Sequence, residues 1–88
     1  MYLHLGQNVV IPVKKIIGLF DLDNTSQSKT TRQFLEKAEK ENRVINISDD
    51  IPKSFAVCMD KGECKIYISQ LSTATLLKRS ESINSMLI

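Results

Sequence analysis

Residues 54–69, SFAVCMDKGECKIYIS, constrain this chain more than any other stretch. Apolar residues alternate on the way in (Phe55, Val57, Met59) and on the way out (Cys64, Ile66, Ile68). Between them lies Asp60-Lys61-Gly62-Glu63, with a glycine able to take the positive φ of a tight turn. Period-two alternation around a turn signal predicts a β-hairpin. With Lys61-Gly62 at the centre, Met59 faces Cys64, Val57 faces Ile66 and Phe55 faces Ile68. One face is then wholly apolar, while the other carries Ala56, Cys58, Asp60, Lys65, Tyr67 and Ser69. A slip of one residue would set Val57 against Lys65, so the register is firmly specified. Cys58 and Cys64 fall on opposite faces and cannot pair with each other.

The rest of the chain must be small structure built onto that hairpin. At 88 residues it makes one domain with a modest core, burying somewhat more than about 60% of its unfolded surface. No apolar run is long enough to span a bilayer, and the first residues lack the basic-then-apolar pattern of a signal peptide. Two cysteines predicted to lie apart suit a reducing compartment, so the expected location is the cytoplasm. No membrane partner is expected.

Met1–Leu5 alternates weakly and reads as a strand. Gly6-Gln7-Asn8 turns it into a second strand, Val9–Ile11, which Pro12 limits. Ile16-Ile17-Gly18-Leu19-Phe20 does not alternate. A strand apolar on both faces needs cover on both sides. In a chain this short a helix covers one face, and the other calls for a neighbouring subunit. Residues 23–31 are polar and turn-rich, with Ser28 as the expected N-cap of a helix from Lys29 to Glu41. Its apolar stripe is Phe34, Leu35 and Ala38, with Arg32/Glu36, Glu36/Lys40 and Lys37/Glu41 as i,i+4 pairs outside. Asn42 is its expected stop. Residues 43–48 read as a short strand, and Asp49-Asp50-Ile51-Pro52 as a turn. Ser72 or Thr73 caps a C-terminal helix, and the tail after residue 79 is helical or frayed.

Little here supports catalysis. His4, Cys58 and Cys64 would give a metal at most three ligands, at spacings that match no zinc pattern. Nothing places His4 beside either sulfur. Asp21/Asp23 and Asp49/Asp50 flank loops, where acids serve turn chemistry. Gly6, Gly18 and Gly62 are scattered and make no phosphate loop. Neither an enzyme nor a cofactor is expected. The basic residues are the better lead: Lys14-Lys15 before one strand, Lys53 before the hairpin, Lys78-Arg79 on the last helix. If these elements lie side by side, their basic starts form one patch. Net charge is only +2 and pI about 8.6, below the value of about 9 common in dedicated nucleic-acid binders. A solvated charged face is the plain alternative. Repetition of a weak patch in an oligomer would raise its avidity without new contacts.

Several segments, in order, carry a resemblance: MYLHLG at the start, IIGLFDLD at 16–23, QFLEKAEKE at 33–41, PKS at 52–54 and QLSTATLLKR at 70–79. Together they resemble the RemA/RemB family of small bacterial extracellular matrix regulators over residues 1–79. Residues 80–88 match nothing in it, which divides the chain into one domain (1–79) and a C-terminal tail (80–88).

The resemblance implies a transcriptional regulator of biofilm matrix genes that binds double-stranded DNA as a homo-oligomer, a ring in RemA members. It also implies a β-rich fold similar to LytTR-type DNA-binding domains. RemA-like proteins carry an arginine just before the third strand, where Lys15 stands here. They also carry paired arginines in the turn before the long hairpin. This chain departs there, with Asp49-Asp50-Ile51-Pro52-Lys53 offering one lysine in place of two bidentate forks.

The expected fold is therefore α+β: a small, bent, mostly antiparallel sheet of about six strands, one central helix and a C-terminal helix. Lys15 and Lys53, then Lys14, are the expected phosphate contacts. Lys78 and Arg79 also complement a helix C-terminus and rank below them. The rival expectation is a non-catalytic interaction module that co-assembles with a RemA-like DNA-binding partner.

Overall fold

The structure, a computed structural model, describes residues 2–22 and 29–79. The expected Ser28 cap, most of the loop 23–31 and the tail 80–88 lie outside the described residues. In chain order the elements are strands β1 (Tyr2–Gly6) and β2 (Val9–Pro12), a 3-10 turn (Val13–Lys15), strand β3 (Ile16–Asp21) and helix α1 (Lys29–Lys40). Strands β4 (Val44–Asn46), β5 (Ser54–Asp60) and β6 (Glu63–Ser69) follow, and residues 73–79 form the helix α2. This is the expected α+β fold, mostly antiparallel.

The strands divide into a two-stranded β1-β2 hairpin and a four-stranded sheet of order β3-β5-β6-β4. Pro12 and the 3-10 turn break the ladder between β2 and β3, which is why the six strands do not run as one sheet. The β5-β6 register is the one read from the sequence, with Phe55 opposite Ile68, Val57 opposite Ile66 and Met59 opposite Cys64. Lys61 (φ 53°) and Gly62 (φ 81°) are both left-handed. Positive φ at both central residues is the type I′ turn, whose twist matches that of the flanking strands. The short β4 pairs parallel to β6.

Both faces of the sheet are covered. On one side α1 packs through Ala38 and Leu35 onto Phe55, Ile66, Val57 and Ile68. Asn42, left-handed at φ 59°, ends this helix as expected. Among the described residues none of the three i,i+4 pairs on α1 closes to salt-bridge distance; the ion pairs found there are Lys15–Asp60 and Arg43–Glu41. Long solvated side chains gain too little from pairing to offset the rotamer freedom they lose.

On the other side the β1-β2 hairpin and α2 bring Leu3, Leu5 and Leu76 onto Ala56 and Cys58. The hairpin face that looks mixed in sequence is thus also a core face. Its serines are consumed there. Ser69 Oγ donates to the Leu5 carbonyl (2.6 Å) and accepts from the Leu71 N–H (3.0 Å), while Ser54 Oγ donates to the Leu71 carbonyl (2.6 Å). These bonds fasten the mouth of the β5-β6 hairpin to β1 and to the entrance of α2. Ser72 caps α2 by accepting from the Thr75 N–H at 3.2 Å.

β3 is the outer strand of the four-stranded sheet. Its Ile16 and Leu19 face the β1-β2 side and are packed there. A bulge between Ile16 and Gly18 turns Ile17 to the α1 side. There Phe20 stacks on Phe55 with ring centroids 5.1 Å apart, its ring lying over Gly18, where an added Cβ would meet it at 2.9 Å. Ile17 remains 63% exposed and Phe20 41%. Together with Thr30, Thr31 and Phe34 of α1, and with Phe55 and Val57 as floor, they line an open apolar groove of about 330 Å³. The two-sided strand is therefore packed through partly buried Ile16 and Leu19 on the hairpin side and left more open at Ile17 and Phe20 on the helix side.

Candidate nucleic-acid interface

The cations expected to bind phosphate fall into separate groups. Lys14 and Lys15 close the 3-10 turn beside Tyr2 and Pro12, at the start of β3. Lys14 is exposed. Lys15 is half-buried, and its Nζ lies 2.9 Å from the Asp60 carboxylate at the end of β5. The Lys15 hydrogen bond holds the Asp60 carboxyl below its ordinary range, and the charges of Lys15, Lys61 and Lys65 act in the same direction. Lys61 and Lys65 thus join Lys15 around one aspartate, which the sequence reading missed. They stand on either side of the turn, so the signal was the hairpin itself: its tip carries Lys61 and Lys65 beside the acids Asp60 and Glu63.

Lys53 sits at the mouth of the β5-β6 hairpin. Its N–H donates to the Ser69 carbonyl (2.9 Å) and its carbonyl accepts from the Leu22 N–H (3.0 Å). The backbone is pinned on both sides while the side chain stays exposed. Asp49, Asp50 and Ile51 in the preceding turn are exposed too. Because β3 and β5 are antiparallel, with Ile16 opposite Cys58 and Asp21 opposite Ser54, the start of β3 lies at the end of β5. Lys15 sits level with Met59, six residues from Lys53, which at a strand's rise separates their backbones by about 20 Å. The single patch expected from side-by-side starts is not formed by Lys15 and Lys53 within one chain.

Lys78 is exposed on α2. Arg79 is engaged, its Nη1 donating to the His4 carbonyl at 3.0 Å and so tying α2 to β1. His4 bonds through its ring to the Gln7 carbonyl in the β1-β2 turn. Both cysteines are free thiols. Burial, with a smaller contribution from Cys64, pushes the Cys58 thiol up to about 11. At the β4 edge, Arg43 and Glu41 form a pair at 2.6 Å. Each side chain's hydrogen bond to the other lowers the Glu41 pKa and raises that of Arg43. This pair opens onto a mixed-charge hollow with Glu63, Cys64 and Lys65. Among the described residues no three His, Cys, Asp or Glu side chains gather as metal ligands. No helix of the described residues is long and apolar enough to cross a membrane.

What these features define is a small α+β module that shows exposed cations on rigid loops and hairpin ends. A family model described as "Extracellular matrix regulatory protein A-like", the RemA-like family, matches residues 2–79. The chain belongs to that family. It is also 35% identical over 81 residues to extracellular matrix regulatory protein B of Bacillus subtilis (strain 168), covering 92% of this chain and 91% of that protein. The resemblance read from the sequence therefore holds at the level of the family, and the chain is an extracellular matrix regulatory protein by kinship.

Proposed function

We propose that this chain is a cytoplasmic, non-catalytic transcriptional regulator that binds double-stranded DNA near extracellular matrix (biofilm) genes. It acts as a homo-oligomer, closed into a ring or a smaller assembly, through repeated basic loops. One observation carries the reading beyond kinship: Lys53 is an exposed cation on a backbone clamped by two hydrogen bonds. A rigidly presented ammonium loses little freedom on meeting a phosphate. Lys14 and Lys15, with Lys61 and Lys65 nearby, supply the second cationic point. A single chain of net charge +2 makes few phosphate contacts, and binding built from such contacts is modest and salt-screened. Oligomerisation multiplies the contacts. Specificity then comes from DNA shape and the spacing of repeated sites.

The test is titration of a labelled duplex with the wild type and with Lys15→Ala/Lys53→Ala. Weaker binding and a shallower salt dependence are expected. Equal affinity at low salt would remove both residues from the site.

A second reading has its own observation. Asp49 and Asp50 are exposed just ahead of Lys53, and Asp60 occupies Lys15. Acids at these places suit a module that co-assembles with a RemA-like partner and leaves most DNA contact to it. A shift assay on this chain alone, then mixed with such a partner, separates the two. Binding only in the mixture favours the second.

A further inference from the structure

We propose that residues 80–88 of this chain lie in its own apolar groove between β3 and α1, and that a second copy must displace them to reach that face. The docking stands by itself. The competition deepens the oligomeric reading above and rests on it.

The groove needs cover. Its floor is Phe55 and Val57 and its walls are Ile17, Phe20 and Phe34, which stay 63%, 41% and 38% exposed. Met59, 44% exposed, follows on the same face of β5 and prolongs the apolar surface toward the hairpin tip. The segment fits this surface by composition. Ile83, Met86, Leu87 and Ile88 are apolar, and Glu81 is the one charged residue among its nine. It lies beyond residues 2–79, which the family model matches. A few aliphatic side chains suit a hollow of about 330 Å³.

The route to it is short. α2 starts at the hairpin mouth, where Leu71 is held by Ser54 and Ser69, and ends with Arg79 bonded to the His4 carbonyl. Two residues from His4 along β1, Tyr2 shares a hollow with Pro12, Lys14 and Lys15 at the start of β3. The chain therefore leaves α2 near the end of the sheet where Ile17 stands. Among the described residues no strand pairs with the outer side of β3 to bar the way round that edge. Two residues of strand and one sheet thickness make the path about 17 Å. Nine extended residues reach about 30 Å, so Met86, Leu87 and Ile88 arrive in the groove with length to spare. On the way Glu81 passes the exposed Lys14, an acid meeting a cation. The same walls, once filled, are closed to another copy.

The test uses the full chain in two arms. In the first, Ile17→Cys and Leu87→Cys are combined in a Cys64→Ser background, mixed into a large excess of the Cys64→Ser chain and oxidised. A disulfide between positions 17 and 87 should form within one chain, read by non-reducing gel and mass spectrometry. Ile51→Cys with Leu87→Cys is the control, since Ile51 is exposed on the turn before the hairpin mouth. That pair should close at least about tenfold more slowly, the effect of a lower effective concentration. Equal rates for the two pairs overturn the docking, as does a bond found only between chains. In the second arm, Met86→Asp/Leu87→Asp removes the apolar contact, and circular dichroism verifies that the fold is retained. If the segment covers the groove in about nine chains of ten, its loss lowers the concentration of half-assembly about tenfold. Light scattering over a dilution series reads that midpoint, and an unchanged or higher one overturns the competition. A wild type that stays monomeric throughout refutes the oligomeric reading by itself, and the cross-link still judges the docking.

Discussion

Asp60 gives the most direct handle on the DNA-binding reading. Its carboxylate lies 2.9 Å from the Lys15 ammonium, so a phosphate that recruits Lys15 must displace it. Asp60→Asn keeps the side chain's size and its place beside the turn but removes the competing charge. Both partners are about one-third exposed, at 35% and 37% of their side-chain surface. A solvated pair of this kind contributes little to folding, so the melting temperature should stay close to wild type. DNA binding should change more. Each lysine freed for a phosphate steepens the dependence of log K on log salt by about 0.9. Over a fourfold salt range that is about a threefold to fourfold larger loss of affinity per subunit.

The assay is fluorescence anisotropy of a labelled duplex over a salt series, for wild type, Asp60→Asn, Lys15→Ala and the double variant. The double variant should lose the added slope, because the gain runs through Lys15. Asp60→Asn binding with the wild-type slope would refute the reasoning, and so would a gain that survives Lys15→Ala. The pH dependence has a defined sign. The Asp60 pKa is depressed in the folded chain, so the pair is intact above the ordinary carboxylate range and is lost only as pH falls through that lowered value. Between about pH 6 and 8 the difference between wild type and Asp60→Asn should therefore stay constant.

Two further outcomes test the fold around the site. Ser69→Ala removes a hydroxyl that serves both the Leu5 carbonyl and the Leu71 N–H in a buried position. At about 1–3 kcal/mol for each of the two groups left unpaired, the loss should be about 2–6 kcal/mol. Urea denaturation measures it, and a loss under about 1 kcal/mol would mean water satisfies both groups. Thiol labelling of the native chain at pH 8 should modify Cys64 and spare Cys58. With its pKa pushed up to about 11 by burial, the Cys58 thiolate is about one part in a thousand there. Both should react in urea, and equal native rates would contradict the burial of Cys58 under β1 and α2.

The hairpin was legible because its signal is local. Alternation and a turn glycine specify register within sixteen residues, and the observed pairing follows them. The cap at Ser72 and the stop at Asn42 were legible for the same reason. The second core face was not. Ala56, Cys58, Ser54 and Ser69 are small or polar, and only contact with Leu3 and Leu5, some fifty residues upstream, makes them interior. The Lys15–Asp60 pair spans a comparable separation and leaves no local trace. Nor does residue order along the chain reveal strand direction. Lys15 and Lys53 both precede strands, yet antiparallel pairing of β3 with β5 sends them to opposite ends. The tail 80–88 lies outside the described residues.

That separation bears on why such a chain would assemble at all. A dedicated monomeric binder concentrates charge on one face, and this chain does not: its net charge is +2. The two cations ranked first as phosphate contacts, Lys15 and Lys53, also stand about 20 Å apart along a strand, Lys15 beside Asp60. Neither group alone offers many phosphate contacts, and counterion release scales with their number. Two of the apolar side chains left exposed, Ile17 and Phe20, lie on the strand whose ends approach both groups. Burial of those side chains against a second copy would supply association energy. An exposed apolar strand and dispersed charge both suit a chain that works in several copies, so Ile17→Lys should lower the native mass measured by light scattering, and an unchanged mass would refute that argument.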